Sequence, residues 1–186
     1  LRLPPIRLYR DGKPDPSIEA IIFANVRTPA ERLGDLRAQV AATWRGTQRM
    51  AELAAKYGTE TFLRIMSEVL DYSETMMRAA LRALPDGEAS FADIFDGDGV
   101  IGPGETRDEP FTVKLRVVKT GDTILADFAG SDPAVAGPMN APLTVTASGV
   151  FCALKMIADP GSLIPPNSGC WRPVTVTAPP GSVVNA

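Results

Sequence analysis

Histidine is absent from all 186 residues. The side chain whose unperturbed pKa lies nearest neutrality is therefore missing. A histidine-based triad, histidine-coordinated zinc and histidine acid–base catalysis cannot be housed in this chain alone. Lysine, carboxylate and cysteine chemistry stay open. Cysteine is scarce: Cys152 and Cys170 cannot build a disulfide framework, and two reduced thiols in a cytoplasmic protein is the favoured reading over a single bridge. Neither sign of charge dominates, with 19 basic and 22 acidic side chains and a formal net charge of −3, which argues against nucleic acid or an acidic membrane surface as partner. No run approaches the roughly 20 apolar residues that cross a bilayer, and no charged-then-apolar signal segment opens the chain. A cytoplasmic location is expected.

What is present describes a folded chain. Hydrophobic residues make up 45% and charged residues 22%, a balance that supports a sizeable core rather than disorder. The sequence opens on Leu1 and closes on Pro179-Pro180-Gly181-Ser182-Val183-Val184-Asn185-Ala186, at the start of an apolar run. Both ends read as those of an internal piece of a larger polypeptide.

Residues 1–86 read as helical. Four prolines make Leu1 to Pro16 extended, with a turn at Asp11-Gly12. A short helix is expected from Ser17, as N-cap, to about Ala24. Thr28-Pro29-Ala30-Glu31 then has the form of a capping box with proline at the first helical position. Apolar residues follow in steps of three and four from Leu33 to Tyr57, so one face should be buried, and Gly58 should end the helix in the left-handed conformation. Thr59 can cap the next helix, whose apolar set runs from Phe62 to Leu84. So short a connection predicts two antiparallel neighbours. The methionines on the second helix sit at core spacing, which favours packing over a binding groove.

Residues 87–186 read as β-rich with one helix. Ala89 to Phe95 is a weak strand, and Asp96 to Glu109 a polar, glycine-rich loop. Phe111, Val113, Leu115 and Val117 alternate with polar residues, a turn spans Lys119 to Asp122, and Thr123 to Phe128 returns, which predicts a hairpin. After the loop Ala129–Asn140, the apolar stretch from Pro142 to about Ala158 reads as a buried helix packed closely on the sheet. Arg172 to Ala178 is a final strand. The class is α+β, a helical hairpin followed by a β-rich half.

Gly97-Asp98-Gly99-Val100-Ile101-Gly102 matches the dinucleotide pattern, but Pro103-Gly104 follows where that fingerprint needs a helix. Asp96 and Asp98 hint at a calcium loop, yet Val100, Ile101 and Arg107 stand where ligands or glycine are required, leaving a solvated turn. Arg27 with Asn25, just ahead of a helix N-terminus, could hold an anion, and Asp35 shares a helix face with Gln39. The competing reading is a polar face with ion pairs such as Asp35 with Arg32. Asn140 and Asn167 lie in tight loops, where asparagine serves caps and turns as readily as ligands. Arg172 could bind a carboxylate or phosphate. Cys170 has no histidine in the chain to activate it. Arg27, Asp35, Asn140, Asn167 and Arg172 are the candidate substrate or phosphate contacts; no catalytic residue and no metal ligand can be named.

Taken in order, several segments resemble a known family. Leu3-Pro4-Pro5-Ile6-Arg7-Leu8-Tyr9 and the stretch Asn25 to Gln39 are very similar to the middle of hydantoinase B-type subunits. So are Asp127-Phe128-Ala129-Gly130-Ser131, Gly137-Pro138-Met139-Asn140-Ala141-Pro142 and Asn167-Ser168-Gly169-Cys170-Trp171-Arg172-Pro173. The family joins N-methylhydantoinase B subunits, the matching part of 5-oxoprolinases, and acetone and acetophenone carboxylase α-type subunits. The resemblance implies ATP-dependent opening of a small cyclic amide, or alternatively carboxylation of a ketone. It also implies a hetero-oligomer with an A-type, ATP-binding partner subunit or domain. ATP and a divalent metal are expected in the full complex and none on this region. The family's own metal-binding motifs precede the Leu-Pro-Pro segment. A third reading gives this region no catalytic residue and makes it a scaffold that docks the A-type partner.

Overall fold

In the computed structural model, residues 3–102 and 108–186 are described, and they divide into two compact units, Leu1–Leu63 and Arg64–Ala186. The opening at Leu1-Arg2, the Pro103-Gly104 segment and Arg107 lie outside the described residues, so the expected loop from Asp96 to Glu109 is seen only at its two ends.

The first unit opens with a two-stranded hairpin, β1 (Tyr9–Arg10) and β2 (Lys13–Pro14), around the expected Asp11-Gly12 turn. Both turn residues have positive φ, 51° and 76°, and the bare Cα of Gly12 lies beside the Trp44 ring. Helix α1 (Pro16–Phe23) is capped by Asp15, not Ser17: its Oδ1 accepts from the amides of Ser17 (3.0 Å) and Ile18 (3.4 Å), and Pro16 takes the N1 position. Helix α2 (Pro29–Tyr57) starts at the expected proline, but the capping box does not form. Thr28 adopts φ 50°, ψ 59°, the left-handed region, and its hydroxyl makes no capping bond; only its carbonyl accepts, from Arg32 N–H at 3.1 Å. Gly58 has positive φ (82°) with an extended ψ (143°) rather than the left-handed helical pair. Its carbonyl accepts from Phe62 N–H at 2.9 Å, so one glycine ends α2 and opens α3 (Thr59–Arg82). The apolar stripe of α2 is periodic as expected, yet no α2 residue is buried; Trp44, Met50, Leu53 and Tyr57 are exposed.

The second unit is built on a four-stranded sheet in the order β3 (Gly87–Phe95), β4 (Phe111–Thr120), β5 (Thr123–Asp127), β6 (Val174–Thr177). β3–β4–β5 is an antiparallel meander, with a tight turn that places Thr120 opposite Thr123 and Gly121 at φ 57°. β6 runs parallel to β5, reached through helix α4 (Leu143–Ala158). The α+β class with a helical N-terminal part stands. Alternation decides which side is covered: Val117, Ile124, Ala126, Val174 and Val176 face α3 and α4, while Lys114, Arg116 and Asp127 stand on the other side. Met77 and Leu81 of α3 are fully buried with Ile124, Leu154, Ile164 and Cys170, which places Met77 in the core as its spacing predicts. Helix α4 is less enclosed than its composition predicts: Thr146 and Leu154 are buried, but Val145, Met156 and Ile157 are more than half exposed. Among the described residues no helix is long and apolar enough to cross a membrane. Both cysteines are free thiols, Cys170 buried and Cys152 exposed.

One contact fixes α3 to the loop before β6. The Cα of Gly169 meets the backbone of Leu70 so closely that an added Cβ would fall 2.0 Å from the Leu70 carbonyl oxygen. Asn167 Nδ2 donates to Ser73 Oγ at 2.7 Å, and Arg172 Nη1 donates to Asp71 (2.7 Å) and Glu74 (2.9 Å). Trp171 stacks on Phe151 of α4 at 4.4 Å between ring centroids. Replacing Gly169 by Ala forces the loop off α3, with an expected loss of about 3 kcal/mol, near the upper end for overpacking. Urea unfolding followed by tryptophan fluorescence measures it.

Candidate functional site

The antiparallel meander brings the end of β3 and the start of β4 to one edge of the sheet, Phe95 opposite Phe111. β5 finishes at the same end, and so does β6, its parallel neighbour. Two loops and the segment after β6 therefore converge there. Two adjoining cavities result, both lined by Phe111.

The first cavity, about 380 Å³, is apolar. Phe95 and Phe111 stack face to face at 4.8 Å, and Val145, Gly149 and Val150 of α4 form the opposite wall. Its floor is closed by Val183 and Val184, both buried. The C-terminal segment is held there by Val183 N–H to Asp132 O (2.9 Å), Ala141 N–H to Val183 O (2.8 Å) and Thr146 Oγ1 to Val184 O (2.7 Å).

The second cavity, about 360 Å³, is acidic, lined by Asp98, Asp108, Glu109 and Asp132. Its aspartates are committed to backbone. Asp108 accepts from the amides of Asp98 (3.0 Å) and Gly99 (2.6 Å). Asp98, 9% exposed, accepts from Val100 (2.9 Å) and Gly137 (2.5 Å). Asp132 accepts from Thr112 (2.7 Å). The amide donors of Gly137 first, then of Val100, hold the Asp98 carboxyl below the ordinary aspartate range. Gly97 and Gly137 make this possible: a Cβ on the first would overlap the Asp108 carboxylate (2.1 Å), and on the second the Asp98 carbonyl oxygen (2.3 Å). So the Gly97–Gly102 pattern binds no pyrophosphate here because its amides already serve carboxylates of the chain. The Asp98 side chain is tied and buried, while Asp96, Gly99, Val100 and Ile101 around it are exposed, so the expected solvated turn holds for its neighbours and not for Asp98 itself.

The five candidate residues fall in both units, two in the first and three in the second. Arg27 is exposed in the bend before α2, and Asp35 pairs with Arg32 across one helical turn at 2.7 Å; both belong to the first unit. Asn25 Nδ2 donates to the Ile21 carbonyl at 2.7 Å. In the second unit, Asn140 closes its own loop, donating to Val135 O (2.7 Å) and Gly137 O (3.1 Å) and accepting from Val135 N–H (2.9 Å). Asn167 and Arg172 dock the loop on α3. Arg172 is matched by two carboxylates, and Glu74 is held below its usual range by Arg172 first and Arg78 second. Of the three candidates in the second unit, only Asn140 borders the convergent end of the sheet.

Sequence reasoning passed over Asp98, Asp108 and Asp132 as site formers. The available signal was an aspartate between two glycines at Gly97-Asp98-Gly99 and one two residues after a glycine at Gly130-Ser131-Asp132. Among the described residues no three His, Cys, Asp or Glu side chains converge as a metal set. The aspartates that come nearest are turned to amide donors. Among the described residues, these aspartates offer a divalent metal no convergent set.

An α+β sheet with a one-sided core, glycine-tight loops and a polar turn docked on a long helix defines the class of region, and similarity places it. The sequence profile described as hydantoinase B/oxoprolinase matches residues 1–186, and the chain belongs to that family. Over its whole length it is 32% identical to 32% of a D-/L-hydantoinase B-type protein from Pseudomonas sp. (strain NS671). The beta chain of the caprolactamase of Pseudomonas jessenii is likewise 32% identical, matching all of this chain and 31% of its own length. The crystal structure of the ATP-dependent caprolactamase from that organism superposes with a TM-score of 0.76 at 31% identity, covering 100% of this chain and 31% of that one. A nucleotide-free acetone carboxylase shares the fold at TM-score 0.79 and 17% identity, over 97% of this chain and 24% of that one. The chain spans about a third of the length of the first two relatives.

Acid should loosen the convergent loops. Asp98 has a lowered folded pKa, so its contribution is complete above the ordinary aspartate value of about 3.9 and is lost as pH falls through the folded value. Asp98→Asn should lower Tm near neutral pH and flatten the acid limb of the Tm–pH curve. Thermal melts between pH 7 and pH 2 read both effects.

Proposed function

We propose that the whole protein is the B-type component of an ATP-dependent cyclic-amide hydrolase, and that residues 1–186 are a scaffold within it. The observation that carries the first part is the match to the hydantoinase B/oxoprolinase profile along all 186 residues, with relatives that include a caprolactamase component. The second part rests on the engagement of Asn140, Asn167, Arg172 and the three cavity aspartates with the chain's own backbone and side chains.

The chemistry accounts for a division of labour. A lactam is a poor electrophile because its nitrogen shares its lone pair with the carbonyl. Phosphorylating the amide oxygen removes that resonance and opens the carbon to water; the adduct then breaks the ring C–N bond, the nitrogen leaving as the amine with a proton from water, and the acyl phosphate that remains is hydrolysed to carboxylate and phosphate. An A-type partner supplies the ATP site in this proposal, and a divalent metal is held by other parts of the assembly. Arg27, exposed ahead of α2, is the candidate of the five best placed to meet a phosphate or partner, while Asp35 shares that helix end. The likeness to acetone carboxylase extends to the fold alone, so ring opening is preferred to ketone carboxylation.

Co-expression of the full-length protein with its A-type partner tests this. ADP release and ring opening are measured with hydantoin, 5-oxoproline and caprolactam, against acetone with bicarbonate as control. ATP-dependent ring opening of one cyclic amide is expected. Arg172→Ala should reduce the yield of folded complex while leaving KM unchanged in what assembles. Consumption of acetone and bicarbonate alone sinks the hydrolase reading. A raised KM in Arg172→Ala with intact assembly sinks the scaffold reading.

A further inference from the structure

The sheet of the second unit has a long edge that its own sequence protects only with two carboxylates. β3 is nine residues long, Gly-Glu-Ala-Ser-Phe-Ala-Asp-Ile-Phe, and pairs with β4 in unbroken register from Gly87–Lys119 to Phe95–Phe111. Among the described residues it has a neighbour on one side only. Edge strands in soluble proteins are blunted by charged side chains, proline, bulges or short length. β3 is long, unbroken and free of proline and lysine; its two charges are Glu88, paired with Arg116 of β4, and Asp93, whose Oδ1 accepts from the Ile94 amide at 3.1 Å. Its apolar residues are bare on both faces: Phe91 is 72% exposed and Ile94 67%.

The covered side of the sheet is also open next to β3. Helix α4 lies over β4 and β5, and an apolar groove runs along it. The Phe95–Phe111 cavity forms one end, and a second cavity of about 360 Å³, lined by Leu84, Val117, Ile124, Ala153 and Ile157, forms the other. Leu115, the partner of Phe91, lines both. Phe91 thus stands on the outer lip of a continuous apolar surface, and Val145 and Ile157 of α4, 58% and 64% exposed, border it from the helix side.

We infer that β3 is an interior strand in the full-length protein, paired along its outer edge with a strand of the same polypeptide from outside residues 1–186. The relatives supply the material: about two thirds of the length of the hydantoinase and caprolactamase chains lies beyond the part that this chain matches. The inference rests on the reading of this chain as a region of such a protein. The added strand carries apolar side chains on both faces, beside Phe91 and Phe95 on the groove side and beside Ile94 on the other. Main-chain bonds give the pairing and the alternating side chains fix its register.

Hydrogen exchange on the full-length protein, isolated and without its partner, decides the matter. In an edge strand alternate amides point to solvent and exchange fast; in an interior strand all are protected. We expect every amide from Glu88 to Phe95 to be slowed by roughly 100-fold or more, independently of protein concentration. Fast exchange at alternate residues overturns the proposal. Protection that grows with concentration assigns the edge to a second copy, and protection that appears only with the A-type partner assigns it to that partner; either result also overturns it. As a second reading, Phe91→Asp should lower Tm of the isolated full-length protein, where a solvent-facing residue would leave it unchanged. Neither measurement depends on turnover, so failure here leaves the proposed activity standing, and failure of the activity leaves the strand pairing standing.

Discussion

The near-contact between Gly169 and the Leu70 backbone is the constraint on which the second unit depends. It sets how close the loop before β6 can lie to α3, and hence where Cys170 and Val174 enter the core beside Met77 and Leu81. Every polar group around it serves the same docking. Asn167 reaches Ser73, whose hydroxyl in turn donates to the Val69 carbonyl at 2.9 Å, and Arg172 answers two helix carboxylates. With a methyl group at position 169 these bonds would all be displaced together, because none can stretch by the distance that a Cβ demands.

The convergent end of the sheet follows the same logic with the charges reversed. There, carboxylates hold backbone amides, and two glycines leave room for them. A buried lysine does the equivalent work at the opposite end: Lys119 donates to Leu84 O and to Asp86, both at 2.6 Å, and ties the start of β3 to the end of β4. Lys119 and these aspartates thus orient main chain, which supports the scaffold role proposed for this region.

Alternation and helical periodicity made the β4–β5 hairpin, α3 and the final strand legible before any coordinates, because burial on one face is written directly into residue order. Local capping was less legible. Asp15 displaced Ser17 as a cap since Pro16 had already fixed the first helical position, and Thr28 turned left-handed where its neighbours promised a capping box. The burial of α2 and α4 was over-read, because periodicity states that a face is apolar and not what lies against it. The roles of Asn140, Asn167 and Arg172 could not be separated from ligand contacts by type alone; their partners at Val135, Ser73 and Glu74 are distant in sequence or are main-chain atoms that leave no signature.

The parallel alignment of β6 with β5 has a consequence for the order of events during synthesis. β3, β4 and β5 are joined by nearest-neighbour connections and can zip together as they leave the ribosome. Val174 cannot reach Ile124 until α4 and the docking loop have also emerged. Val183 and Val184, which close the floor beneath Phe111, follow later still. Until they emerge, a nascent chain holds the three-stranded meander over an unfilled hydrophobic floor, and long-range closure of that kind is the slow part of folding. Chaperone dependence of this unit would be concentrated in that interval.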